Sequence, residues 1–126
     1  MAKKRKTNLL IQYNGTKPEF LYLLRHDTTN YYKIGWAFDI FERISDLQVG
    51  NPMELILIDS CQCDQAEARE DYLHNELVNF KIRGEWYRLE GENLKFVRDY
   101  YRNTDFRRSC RLLIENVQTC DKSCYL

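Results

Sequence analysis

Two apolar, aromatic-rich runs, Phe20 to Arg25 and Tyr31 to Gly35, flank the polar stretch Asp27-Thr28-Thr29-Asn30. That succession predicts a β-hairpin closed by a loop of about four or five residues. Asp39, with Glu42 three residues on, makes a capping box for a helix over roughly 40–49. Ile40, Ile44 and Leu47 fall at helical spacing along it, and Gly50-Asn51-Pro52 stops it. Leu55-Ile56-Leu57-Ile58 is a short continuous apolar run, the pattern of a strand buried on both faces and placed centrally or as the closing strand. Asp64 is positioned to cap a second helix whose Ala66, Leu73, Leu77 and Phe80 form one apolar stripe. Gly84-Glu85-Trp86-Tyr87 reads as a turn into a short edge strand, with Trp86 anchoring the last helices. A third helix begins near Glu92, carrying Leu94, Phe96, Val97 and Tyr101, and a fourth covers about 105–117. The organisation expected is a basic arm over 1–18, a domain over 19–90, helices over 91–117 packed on that domain, and a tail over 118–126.

At 126 residues, 44% hydrophobic and 13% aromatic, the chain has enough apolar material for one buried core. No apolar stretch reaches the roughly 18–20 residues of a membrane helix. The opening Met1-Ala2-Lys3-Lys4-Arg5-Lys6 has no apolar segment behind its charges. An intracellular protein, cytoplasmic or nuclear, neither secreted nor held in a membrane, is therefore expected. Lys3 to Lys6 suit a nuclear-import signal, a phosphate-binding arm or a merely solvated terminus. The formal net charge of zero hides an uneven distribution. Residues 1–18 carry five Lys/Arg and no Asp/Glu, residues 19–90 seven against fourteen, and residues 91–126 seven against five. The acidic middle opposes nucleic acid unless a local patch or the arm compensates, yet acidic groups also collect divalent cations. Five cysteines, an odd number, point to free thiols in a reducing compartment. Cys61 and Cys63, two apart on a strand, read as small apolar residues on one face. Joined by Cys120 and Cys124 they would instead offer four thiolates to zinc.

Six features then follow in order: Tyr22 in an apolar run, Lys33-Ile34-Gly35, Arg43, Glu70, His74, and Gly84-Glu85-Trp86-Tyr87. A tyrosine, an arginine, a carboxylate and a histidine gathered in one place can orient water and neutralise a phosphate, which is what phosphodiester hydrolysis needs. Glu70 and His74 are four apart, so on a helix they project from one face. The plainer alternatives are a solvated carboxylate for Glu70, a strand-bonded helix-edge residue for His74, and a core aromatic for Tyr22. Gly35 marks either a close backbone approach or a simple turn. Should Tyr22 and Lys33 share a sheet face, the lysine would favour the tyrosinate or bind phosphate.

The ordered set Leu21-Tyr22, Lys33-Ile34-Gly35, Arg43, Leu47-Gln48-Val49-Gly50-Asn51-Pro52, Glu70-Asp71-Tyr72-Leu73-His74 and Gly84-Glu85-Trp86-Tyr87 resembles the phage- and virus-associated branch of the GIY-YIG nuclease superfamily. The resemblance covers roughly residues 19–90. It implies an α/β (α+β) fold with a small three-stranded antiparallel sheet flanked by helices, here with a C-terminal helical extension. It also implies a DNA endonuclease using one divalent metal ion, Mg2+ or Mn2+. By position, Tyr22 matches the tyrosine that helps activate the attacking water, Arg43 the arginine on the scissile phosphate, and Glu70 the metal-binding carboxylate. Lys33 stands where the wider superfamily has its second signature tyrosine, and His74 is assigned to proton transfer or to positioning Glu70. Lys33, Trp36 and Arg43 are the expected DNA contacts, while Gly35, Gly84 and Trp86 are the structural members. Glu85 is read as a structural carboxylate in preference to a second metal ligand. Trp36-Ala37 departs from the Arg-Thr common in this branch, so Trp36 either stacks on a base or covers apolar surface. An inactive DNA-binding or protein-interaction module on the same fold is the alternative. Target choice is expected to come from a partner protein or from the helices after Glu90.

Overall fold

A computed structural model describes residues 17–107. The basic run Lys3 to Lys6, Cys110, Cys120, Cys124, the tail, and nearly all of the fourth helix lie outside those residues. Strands β1 (Glu19–His26), β2 (Tyr31–Ala37), β3 (Leu55–Cys63), β4 (Lys81–Arg83) and β5 (Trp86–Arg88) form one antiparallel sheet in the order β3-β1-β2-β5-β4. Helices α1 (Ile40–Val49), α2 (Ala66–Glu76) and α3 (Glu92–Thr104) alternate with them. The class expected from the sequence is the class observed, but the sheet has five strands instead of three. β5 is the short strand expected after Gly84, but β4 lies outside it and takes the edge; β4, three residues long, is too short for a period of two to register.

Side chains alternate across the sheet, so each face gathers its own core. One face carries Leu21, Leu23, Tyr32, Ile34, Cys61, Cys63 and Tyr87 and is covered by α2 through Leu73, by Leu77 just past its end, and by α3 through Val97 and Tyr101. The opposite face carries Phe20, Tyr22, Leu24, Ala37 and Leu55 under Ile40 and Ile44 of α1. Cys61 and Cys63 are free and buried in the first core, as their spacing on one strand predicted. Trp86 packs with the second core, under α1, and not against the last helices. Its neighbour Tyr87 is the residue on the α2 and α3 side.

Local chemistry sets the ends of the elements. The Asp39 carboxylate accepts from Glu42 N at 3.1 Å and starts α1 as expected. Gln48 then clamps the Gly50-Asn51-Pro52 turn, donating to the carbonyls of Asn51 and Met53 and accepting from Leu55 N at 2.9 Å. Asp64 does not cap α2. Gln65 takes the cap position in the left-handed region, φ 52°, and Glu19 on β1 accepts from Ala66 N at 2.8 Å. Asp64 is occupied by Arg69, 2.9 Å away. The stripe ascribed to α2 is interrupted too, since Phe80 belongs to a separate 3-10 turn, Val78–Phe80. β3 is the edge neighbour of β1 and carries a register shift opposite Leu23 and Leu24, so of the two sequence expectations it is a closing strand and not a central one. Among the described residues no helix is long and apolar enough to cross a membrane.

Candidate active site

A truncated strand makes the cleft. β5 pairs with Tyr31, Tyr32 and Lys33 of β2, and a last backbone bond from Ile34 N to Glu85 O at 3.4 Å ends the contact, because the chain comes out of β4 through the Gly84 turn, at φ +56°, just before β5 starts. Among the described residues, the second half of β2, through Ala37, therefore has no strand beside it on that side. His74 of α2 terminates the ladder instead, its Nε2 lying 3.0 Å from the Ile34 carbonyl oxygen. A carbonyl only accepts, so Nε2 carries the proton. Beyond that closure, between α1 and α2, lies a cleft of about 240 Å3 lined by Tyr22, Trp36, Ala37, Phe38, Arg43, Glu70 and Glu85.

Tyr22 forms the floor. It is paired with Gly35 across the β1–β2 ladder, and the phenol end of its ring lies over that glycine. A Cβ at position 35 would run into the Tyr22 phenol oxygen and ring, so the close approach expected at Gly35 is that of a side chain from the neighbouring strand. The Tyr101 hydroxyl on the opposite face donates to the Tyr22 backbone carbonyl at 2.8 Å. Burial pushes the phenol up to about 12; Arg43 opposes the rise, and Glu85 and Glu70 add to it. At neutral pH it is a protonated hydroxyl, not a tyrosinate. Lys33 does share a face with Tyr22, as their places in the ladder require, but its ammonium is 2.6 Å from Glu85 and its side chain is only 12% exposed. Its charge is thus committed to a carboxylate.

Glu70 enters from α2. It is 9% exposed, and its side chain has neither a hydrogen bond nor an ion pair among the described residues. Desolvation, joined by the negative charges of Glu85 and Asp71, raises its carboxyl to about 7, with Lys33 opposing. A buried acid without donors among the described residues, held beside a second acid in the same cleft, suits a hard divalent cation. Asp71 and His74 each place a donor atom within 4.8 Å of Glu70 and of each other, so the same helix turn extends the candidate ligand set.

Arg43 projects from α1 into the cleft and is exposed, with no ion pair among the described residues. Trp36 and Phe38, edge to face with ring centres 5.1 Å apart, line one wall. Tyr22, Trp36, Arg43 and Glu70 are thus brought together as the sequence suggested. Lys33 and His74 are not among the lining residues: the first neutralises Glu85, and the second closes the sheet and stacks on Tyr87 with ring centres 5.3 Å apart. Phe38 was missed. Its signal was an aromatic set between a strand end and a helix cap, where neither core face can take it. Residues 19–104, more than half of the chain, match the T5orf172 domain. No curated protein and no solved structure matches the chain.

Proposed function

The chain belongs to the T5orf172 domain family, a phage-associated group of nuclease-like or DNA-binding modules, and on that premise we propose that its cleft hydrolyses DNA phosphodiester bonds by GIY-YIG-type chemistry. The observation that carries this reading is the convergence of Tyr22, Arg43 and Glu70 on one hollow from three different elements. Glu70 would hold a magnesium or manganese ion, with Glu85 supplying a second oxygen across the cleft. When bound, such a cation neutralises charge and polarises the phosphate as a Lewis acid. Arg43, free of carboxylate partners among the described residues, presents its guanidinium fork to the phosphate oxygens and offsets the charge that grows on them. The protonated Tyr22 hydroxyl orients the attacking water by accepting a hydrogen bond from it, and its fixed position over Gly35 supplies the geometry. Lys33 acts through Glu85, holding that carboxylate at the rim. His74 acts through β2, keeping the cleft edge from collapsing onto α2.

Plasmid nicking in the presence of magnesium, manganese or chelator tests the reading. Wild-type protein should nick only with a metal, and Arg43→Ala and Glu70→Ala should each lose that activity while retaining their circular dichroism spectra. Cleavage retained by both variants removes the mechanism. A second reading, a DNA-binding module without hydrolysis, draws support from Trp36-Ala37 in the cleft wall and from the acidic balance of residues 19–90. Salt-sensitive DNA binding with no cleavage under any divalent metal favours it.

A further inference from the structure

The cations outside the cleft are not spread evenly. Lys33, Arg69, Lys95, Arg98 and Arg107 are held in ion pairs. Lys17, Arg25 and Arg102 also have no carboxylate partner among the described residues but stand apart from one another in the sequence, whereas Lys81, Arg83 and Arg88 are exposed, equally unpaired, and all three sit on the β4–β5 hairpin. A shallow groove of about 410 Å3 runs along that hairpin, with Lys81, Arg88, Phe80 and Tyr31 in its lining. The Arg88 guanidinium lies 5.9 Å from the Tyr31 ring centre, a placement that leaves its N–H groups free for an anion.

The register connects this groove to the cleft. Tyr31 is opposite Arg88 and Lys33 is opposite Trp86, while Gly35, under the Tyr22 ring, is two residues further along β2. Positions 31, 33 and 35 share one sheet face, so the Tyr31–Arg88 pair and the cleft floor lie on a common line. Four strand residues span roughly 13 Å. Along one strand of duplex DNA that is about four nucleotides at ~3.4 Å each.

We propose that the β4–β5 hairpin is a second DNA-backbone site, in which Arg88 takes a phosphate about four nucleotides from the one held by Arg43, with Lys81 and Arg83 on neighbouring phosphates. The proposal rests on the DNA reading of the cleft and adds to it a source of affinity. A body whose middle is acidic cannot hold a polyanion by its overall field, so it needs a local row of uncommitted cations. The hairpin supplies one. Contacts of this kind carry no sequence information; they fix the register of the duplex over the cleft.

The test is fluorescence anisotropy of full-length protein on two unrelated short duplexes across a salt series, with chelator present so that no strand is cut. Lys81→Gln/Arg88→Gln should weaken binding equally on both duplexes and reduce the slope of log affinity against log salt by about 1.8, or ~0.9 per lost phosphate contact. Arg102→Gln, a matching charge removal on α3, should leave the slope unchanged. The charge-conserving Lys81→Arg/Arg88→Lys should behave as wild type, which separates lost charge from lost fold. An unchanged slope in the double glutamine variant, while Arg43→Ala still weakens binding, overturns the hairpin site and leaves the cleft reading standing. An equal fall per charge in Arg102→Gln also overturns it, because attraction would then be diffuse. If wild-type protein binds neither duplex, the cleft reading falls together with the hairpin site.

Discussion

Replacing Glu70 with glutamine should make the protein more stable while removing its activity. The carboxyl rises from 4.5 to about 7 on folding, because burial and the nearby Glu85 and Asp71 penalise its charge. A raised acid holds its proton more tightly when folded than when unfolded. Its ionisation therefore costs nothing below the unfolded value, and the cost accumulates as pH rises through the folded one. At ~1.4 kcal/mol per pH unit the full shift corresponds to about 3 kcal/mol. The carboxylate faces a cleft open to water, so roughly half of that, about 1.5 kcal/mol, is the expected gain for Glu70→Gln near pH 8. Near pH 5, where the native acid is protonated, the gap should shrink to a few tenths of a kcal/mol. Urea unfolding followed by circular dichroism in chelator measures both, and the other titrating groups cancel in the difference between variant and wild type. Adding magnesium near pH 8 should then raise the wild-type midpoint, by about 2.7 kcal/mol at a hundredfold excess over its dissociation constant, and leave Glu70→Gln where it was. A variant less stable than wild type near pH 8, or a gap that does not change with pH, refutes the reasoning.

Two further perturbations bear on how the cleft floor is held. Gly35→Ala adds a methyl where the Tyr22 ring lies; strand propensity alone favours alanine, so a loss of about 1–3 kcal/mol in chemical denaturation, with nicking reduced, marks the close approach, and a gain in stability contradicts it. Tyr101→Phe removes the buried hydroxyl that bonds the Tyr22 carbonyl at 2.8 Å, and thermal or urea unfolding should register a loss of about 1 kcal/mol; an unchanged midpoint means the bond carries no stability.

The elements built from long periodic runs were legible in the sequence. The hairpin, α1 with its Asp39 cap, and α3 from Glu92 all lie within a residue or two of where the pattern places them. What was not legible depends on partners distant in the chain. Nothing local says that Glu19, on β1, will cap α2, or that Arg69 will occupy Asp64. Nor does spacing reveal that Lys33 will meet Glu85, 52 positions later, in an ion pair. Trp86 and Tyr87 show the same limit: adjacent aromatics on a strand must face opposite ways, but which one meets α1 is settled by the register with Lys33 and Tyr32.

The cleft exists because two devices act at one point of β2. The Gly84 turn lets β5 begin only at Trp86, opposite Lys33, which opens the strand edge beyond, and His74 satisfies the Ile34 carbonyl that the missing ladder would have bonded. Without the first there is no hollow; without the second a backbone acceptor is left without its partner beside α2, at a cost of about 1–3 kcal/mol. Tyr22 then joins the two cores across the sheet, its ring packed under α1 and its carbonyl held by Tyr101 from the α3 side. A phenol fixed from both faces loses little freedom when substrate arrives. Arg43, on an exposed helix face with no ion pair among the described residues, keeps the mobility to close on a phosphate. The site thus divides its parts between rigid and adaptable: the groups that must not move are tied into the sheet, and the one that must reach is left untied.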